Sequence, residues 1–177
     1  MPRQGRLATI GVVILALASL SGCGGSGAIG GAEDALEANA VVERVVDGDT
    51  LVVVVDGAEE RVRLIGMNTP ESVDRRRPVM CFGKEASAHL DELVPAGTPV
   101  RLERDVEVRD RYDRLLAYVY RASDGLFVNL AMVTDGYAQQ YTFPPNVAHT
   151  EAFGRAQRQA RADGTGAWSA CDAPFEE

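Results

Sequence analysis

The strongest constraint on how this chain folds lies between residues 46 and 71. Val46-Asp47-Gly48-Asp49-Thr50 leads into an apolar run, Leu51 to Val55, which is followed by Asp56-Gly57. A second, half-apolar run then ends in Arg63-Leu64-Ile65-Gly66-Met67-Asn68-Thr69-Pro70-Glu71. Asp-Gly between two strand-forming runs predicts a tight β-hairpin. Such a hairpin returns the chain so that Asp49, Arg63, Asn68 and Glu71 gather towards one end of one sheet. Carboxylates and a guanidinium collected at a strand end suit a hard cation and a phosphate group.

Beyond the hairpin, alternation and turn residues predict strands over residues 41–46, 51–55, 60–67, 99–104 and 115–120. Pro70 cannot continue the third of these. Helical spacing of apolar residues predicts helices over 83–94, 126–133 and 150–162. Thr150 is the expected N-cap of the last helix, and Phe153, Ala156 and Ala160 its inner face. Trp168 is expected to plug the core beneath it, and Asp110-Arg111-Tyr112-Asp113 to form a turn. Five short strands with helices inserted late predict an α+β domain, a small five-stranded barrel flanked by three helices.

The N-terminus reads as a targeting segment. Arg3 and Arg6 precede an apolar stretch over residues 7–20, too short for a membrane span of roughly 20 residues but suited to a secretory signal. It ends in Leu20-Ser21-Gly22-Cys23, which resembles a bacterial lipobox, in which the Cys is lipidated and becomes the first mature residue. The expected organisation is a lipoprotein signal over 1–22, a lipidated Cys23 and flexible tether over 23–40, a domain over 41–172, and a tail over 173–177. The protein is then exported and lipid-anchored to the outer face of the cytoplasmic membrane, or on the periplasmic side in a two-membrane cell. With Cys23 given to lipid, Cys81 and Cys171 remain, and an oxidising compartment favours a disulfide between them. A monomer is expected.

Charge is unevenly distributed. Removing Arg3 and Arg6 takes the net charge from −8 to −10, which counts against tight non-specific binding to a polyanion. Residues 61–121 nevertheless carry 12 basic and 10 acidic side chains, so the acidity sits at the two ends of the mature chain. Arg75-Arg76-Arg77 is either a solvated loop or a contact to phosphates. His89 and His149 read as surface or packing residues, and no zinc site is expected.

The residues between 46 and 71 resemble the staphylococcal nuclease (thermonuclease) family, and so does Asp110-Arg111-Tyr112-Asp113-Arg114-Leu115-Leu116-Ala117-Tyr118. The likeness continues through Val128-Asn129, Gly136-Tyr137-Ala138 and a final helix ending at Trp168, spanning roughly residues 41–170. It implies an OB-fold barrel and calcium-dependent (Ca2+) hydrolysis of phosphodiester bonds in DNA, with RNA as an open second substrate. On this resemblance Asp49 is a carboxylate on calcium, with Asn68 and the Thr69 carbonyl as further metal ligands. Glu71 is the candidate general base, Arg63 and Arg114 bind the scissile phosphate, and Arg111, Tyr112 and Tyr141 hold the nucleotide.

Three positions depart from the family pattern. Asn68 stands where many members have a second acidic ligand, which implies weaker calcium binding. Phe143 replaces a second tyrosine, with Tyr141 matched only through a one-residue gap. Asp113 replaces a turn glycine, a change Asp tolerates. Asn68 and the acidic charge favour the alternative, a nucleic-acid-binding barrel of weak or no catalysis. Asp49, Arg63, Glu71 and Arg114 occurring together favour the enzyme.

Overall fold

The computed structural model describes residues 35–72 and 79–175. The signal, Cys23, the Arg75-Arg76-Arg77 run and the last two residues lie outside the described residues. Among the described residues no helix is long and apolar enough to cross a membrane.

Five strands close a barrel in the order β1 (Ala40–Asp47), β2 (Thr50–Val55), β3 (Ala58–Leu64), β6 (Leu115–Arg121) and β5 (Pro99–Glu103). All neighbours are antiparallel except β3 and β6. The β2–β3 hairpin turns through Asp56 and Gly57, both at positive φ (50° and 83°), the geometry of a type I′ turn. Its register sets Thr50 opposite Arg63, and the parallel pairing sets Arg63 opposite Leu116. The hairpin thus brings Asp49 and Arg63 to one rim, beside the loop that carries Arg114.

Three helices cover the barrel: α1 (Gly83–Leu93), α2 (Val128–Thr134) and α3 (Thr150–Asp163). Leu51, Leu64, Leu90, Met132 and Phe153 are fully buried between them and the strands. The α+β barrel with OB topology matches the expected class.

The third expected strand is divided. It breaks at Ile65, where Gly66 adopts φ 83°, and β4 (Gly66–Asn68) leaves the barrel to pair with β7 (Gln139–Tyr141). A Cβ at Gly66 would overlap the Phe153 ring, so only glycine lets α3 seat against this bend. A three-residue partner strand, with Gly66 opposite Tyr141 and Asn68 opposite Gln139, leaves no periodic signal, so neither β4 nor β7 is visible in the sequence.

Three other expectations change. Thr150 is the first helical residue and His149 the N-cap, with no side-chain cap; the Thr150 hydroxyl instead donates to the Val147 carbonyl at 2.9 Å. Trp168 lies in a further short helix, α4 (Ala167–Ala170), half-buried against Phe175 rather than in the core. The tether does not run free to residue 40. Leu36 N–H donates to the Ala122 carbonyl (2.8 Å), and Asn39 exchanges bonds with Leu102 (2.8 and 3.0 Å), extending the sheet edge with an amide side chain.

Cys81 and Cys171 are joined by a disulfide that closes a separation of 90 residues and ties the chain ahead of α1 to the end of α4.

Candidate active site

Two hollows adjoin at the barrel rim. The larger, a cleft of about 580 Å³, is lined by Arg63, Asn68, Arg111, Tyr112, Arg114, Tyr141 and Phe143 among others. The smaller, about 80 Å³, is lined by Asp47, Asp49, Asn68, Thr69, Glu71 and Phe175 among others. Asn68 borders both.

The partition between them is one hydrogen-bonded network. Arg114 Nη1 reaches the Thr50 hydroxyl (3.5 Å), which donates to Asp49 Oδ1 (3.0 Å). The other Asp49 oxygen, Oδ2, accepts from the Thr69 hydroxyl (3.3 Å) and is paired with the Arg63 guanidinium. Arg63 Nη2 donates in turn to Asn68 Oδ1 at 2.8 Å. Asp49, Thr50 and Thr69 are buried, so these contacts are shielded from water and hold the guanidiniums in fixed directions.

Arg114 is fixed from the other side by Asp110, which accepts from its Nε and Nη2 at 2.7 Å each. Burial works to raise the Asp110 carboxyl, but hydrogen bonds from Arg114 and from the Tyr112 N–H outweigh it and hold it below the usual carboxylate range. The same carboxylate shapes the turn, accepting the Tyr112 and Arg114 N–H groups at 2.9 and 3.0 Å, with Asp113 at φ 64°. The salt bridge that holds Arg114 is therefore also what aims it at the cleft.

Tyr112, Tyr141 and Phe143 stand exposed around the cleft. The Arg111 guanidinium lies over the Tyr112 ring at 4.7 Å and donates to its hydroxyl at 2.6 Å, so the pair forms one amphipathic ledge. Asn146 joins the two loops that carry these groups, exchanging bonds with the Glu107 backbone at 2.8 and 3.1 Å.

Could the small hollow hold calcium? Among the described residues no three His, Cys, Asp or Glu side chains gather around one point. Oxygen groups predominate in its lining, from Asp47, Asp49, Thr69, Glu71 and Ser72, beside the Asn68 amide and the Met80 thioether, and hard cations with retained waters take oxygen sets. Burial first, and the adjacent Asp49 second, push the Asp47 carboxyl up to about 6, while Asp49 itself is paired with Arg63. Asn68 is less available than expected, since its carbonyl oxygen already accepts from Arg63.

The expected catalytic, metal and nucleotide-binding residues, Asp49, Arg63, Asn68, Thr69, Glu71, Arg111, Tyr112, Arg114 and Tyr141, each line one or other hollow. Asp47, Thr50, Asp110, Asn129 and Asn146 were not expected as site residues. The first three lie inside the motifs themselves and their spacing gave a signal. Asn129 and Asn146 act through single amides with no local pattern. Asn129 is fully buried, accepts from Val119 N–H (2.8 Å), and donates to the carbonyls of Ile65 (2.9 Å) and Ala117 (3.1 Å). It thereby fixes the bend that starts β4.

Residues 61–170 match the sequence model of the family described as Staphylococcal nuclease homologue. The chain is 40% identical over 128 residues to the thermonuclease of Staphylococcus intermedius, covering 72% of this chain and 74% of that one. It is 37% identical over 139 residues to the thermonuclease of Staphylococcus hyicus, covering 78% and 80%. It is also 35% identical over 133 residues to the endonuclease YncB of Bacillus subtilis, covering 74% and 62%.

Proposed function

The chain belongs to the staphylococcal nuclease family, and from that premise we propose calcium-dependent hydrolysis of phosphodiester bonds in DNA, with RNA as a second substrate. Its class, a hydrolase acting as a nuclease, follows from the family and the thermonuclease and endonuclease relatives.

The observation that carries the finer reading is the buried network linking Arg114, Thr50, Asp49, Arg63 and Asn68 across the wall between the two hollows. Hydrolysis of a phosphodiester builds negative charge on a pentacoordinate phosphorus, and groups already held in place stabilise it without reorganising. Arg63 and Arg114 supply the opposing positive charge from the cleft side. Glu71, at the wall of the small hollow, takes or directs a proton of the attacking water at its carboxylate. Tyr112 with Arg111, and Tyr141, hold the flanking nucleotide. Asp49 and Thr69 would hold a calcium ion, which would supply further positive charge against the phosphate oxygens.

The test is cleavage of single-stranded DNA titrated with calcium and then with a chelator. Activity should appear with calcium and stop on chelation; indifference to both would sink the calcium reading. Glu71→Gln and Arg63→Ala should each lower kcat by about 100-fold or more with folding retained. Near-parent rates in both would remove these two roles, and little cleavage by the parent itself, with tight DNA binding, would leave the binding barrel of weak catalysis as the better account.

We propose also that the protein is exported and anchored through lipid on Cys23, on the strength of the charged and apolar leader ending in Leu20-Ser21-Gly22-Cys23. Cys23→Ser should abolish labelling by a fatty acid and release the protein from membranes. Unchanged membrane association would refute the anchor.

A further inference from the structure

The chain after α4 has no part in the hydrolytic scheme above, yet Phe175 is one wall of the small hollow that Asp47, Asp49, Thr69 and Glu71 also line. Its approach is built in at three points. Ala167 N–H donates to the Gly136 carbonyl at 3.0 Å, and a Cβ at Gly166 would overlap the carbonyl oxygens of Asp135 and Gly136. The Phe175 ring packs on Trp168 at 4.8 Å, and the Arg161 guanidinium lies over the Trp168 ring at 5.6 Å. The third point is covalent, the Cys81–Cys171 disulfide, which holds the two Cα atoms 6.2 Å apart.

That attachment is placed beside the site. Met80, next to Cys81, donates its N–H to the Glu71 carbonyl at 2.9 Å and accepts the Glu71 N–H on Sδ at 3.3 Å. One bond therefore ties the backbone that carries Glu71 to the segment that carries the aromatic wall.

We infer that the C-terminal segment is a working part of the cation site: Phe175, positioned by the Cys81–Cys171 disulfide, closes the hollow with an apolar face and sets how tightly a divalent cation is held. This rests on the reading that the hollow takes a cation. The ring supplies no ligand. It excludes water from one side, and charges attract more strongly where water is excluded. Reduction of the disulfide frees the segment, admits water and loosens the ion, so cation affinity depends on the redox state of a bond outside the ligand set.

The experiment is calorimetric titration of calcium into the full chain. It is run on the oxidised and dithiothreitol-reduced protein, on Phe175→Ala and Phe175→Leu, on Cys81→Ser with Cys171→Ser, and on the triple variant with alanine at 175. Phe175→Ala, the double serine variant and reduction should each weaken binding about threefold to tenfold. Phe175→Leu should restore most of the loss. The triple variant should be no weaker than the worse of its parents, because both changes remove the same wall. Unchanged calcium affinity in Phe175→Ala overturns the inference, even if its melting temperature falls. Losses that multiply in the triple variant overturn the link between disulfide and ring. If the serine variants do not fold, the two Phe175 substitutions decide alone. Asp49→Asn separates the layers: parent-like calcium binding there removes the cation reading and this inference with it. Binding lost in Asp49→Asn but intact in Phe175→Ala removes only the inference.

Discussion

Asn129 serves three backbone partners with one amide, joining α2 to β6 and to the bend after β3. All lie in the buried interior, where a donor or acceptor left without a partner costs about 1–3 kcal/mol. Asn129→Ala should therefore destabilise the domain by about 3 kcal/mol or more, measured by urea denaturation. A loss below about 1 kcal/mol would mean that the three backbone groups find other partners. Asp110 is the surface counterpart of this arrangement. Its carboxylate both shapes the turn and holds Arg114, so the turn and the cleft-facing guanidinium depend on one side chain. Asn68 shows how little of a role residue identity alone decides. An amide oxygen can ligate a cation, but here it is first the acceptor that steadies Arg63.

At the scale of elements, the departure of β4 from the barrel is what shapes the cleft. The chain turns at Gly66, takes Met67 into the core and delivers Asn68, Thr69 and Glu71 to the rim. Two independent conditions require glycine at this bend, a positive φ and the contact with Phe153 of α3. Gly66→Ala should cost at least about 2–4 kcal/mol, since backbone strain and overpacking fall on one residue. A melting curve within about 2 °C of the parent would show instead that α3 shifts without penalty. The division of residues 60–67 into two strands was not legible in the sequence, where Gly66 is a single interruption in an otherwise continuous strand pattern. By contrast the β2–β3 hairpin was legible, because Asp56-Gly57 demands a turn type that only a tight hairpin uses.

At the scale of the whole domain, the Cys81–Cys171 bond spans 90 residues, from the start of α1 to the end of α4. Cross-linking a loop of that length restricts the unfolded chain and contributes about 3–5 kcal/mol. Reduction without calcium should lower stability by that amount in guanidinium unfolding. An unchanged midpoint would mean that the reduced unfolded chain keeps the two ends together. This stability effect is separate from the calcium effect inferred above, which compares affinities in proteins that remain folded.

The chain's own chemistry determined the hairpin, the barrel class, the pairing of Cys81 with Cys171 as an expectation, and the residue types of the site. These are local, or carried by motifs a few residues long, and so can be read in order along the sequence. Only the tertiary structure decided that Arg114 and Arg63 meet through Thr50 and Asp49, that Asn129 fixes the Ile65 bend, and that Phe175 lines the small hollow. Each of those depends on groups tens of residues apart whose contact follows from strand register and helix packing. A single side chain at such a distance leaves no periodicity, only an identity, and its partner is chosen by the fold.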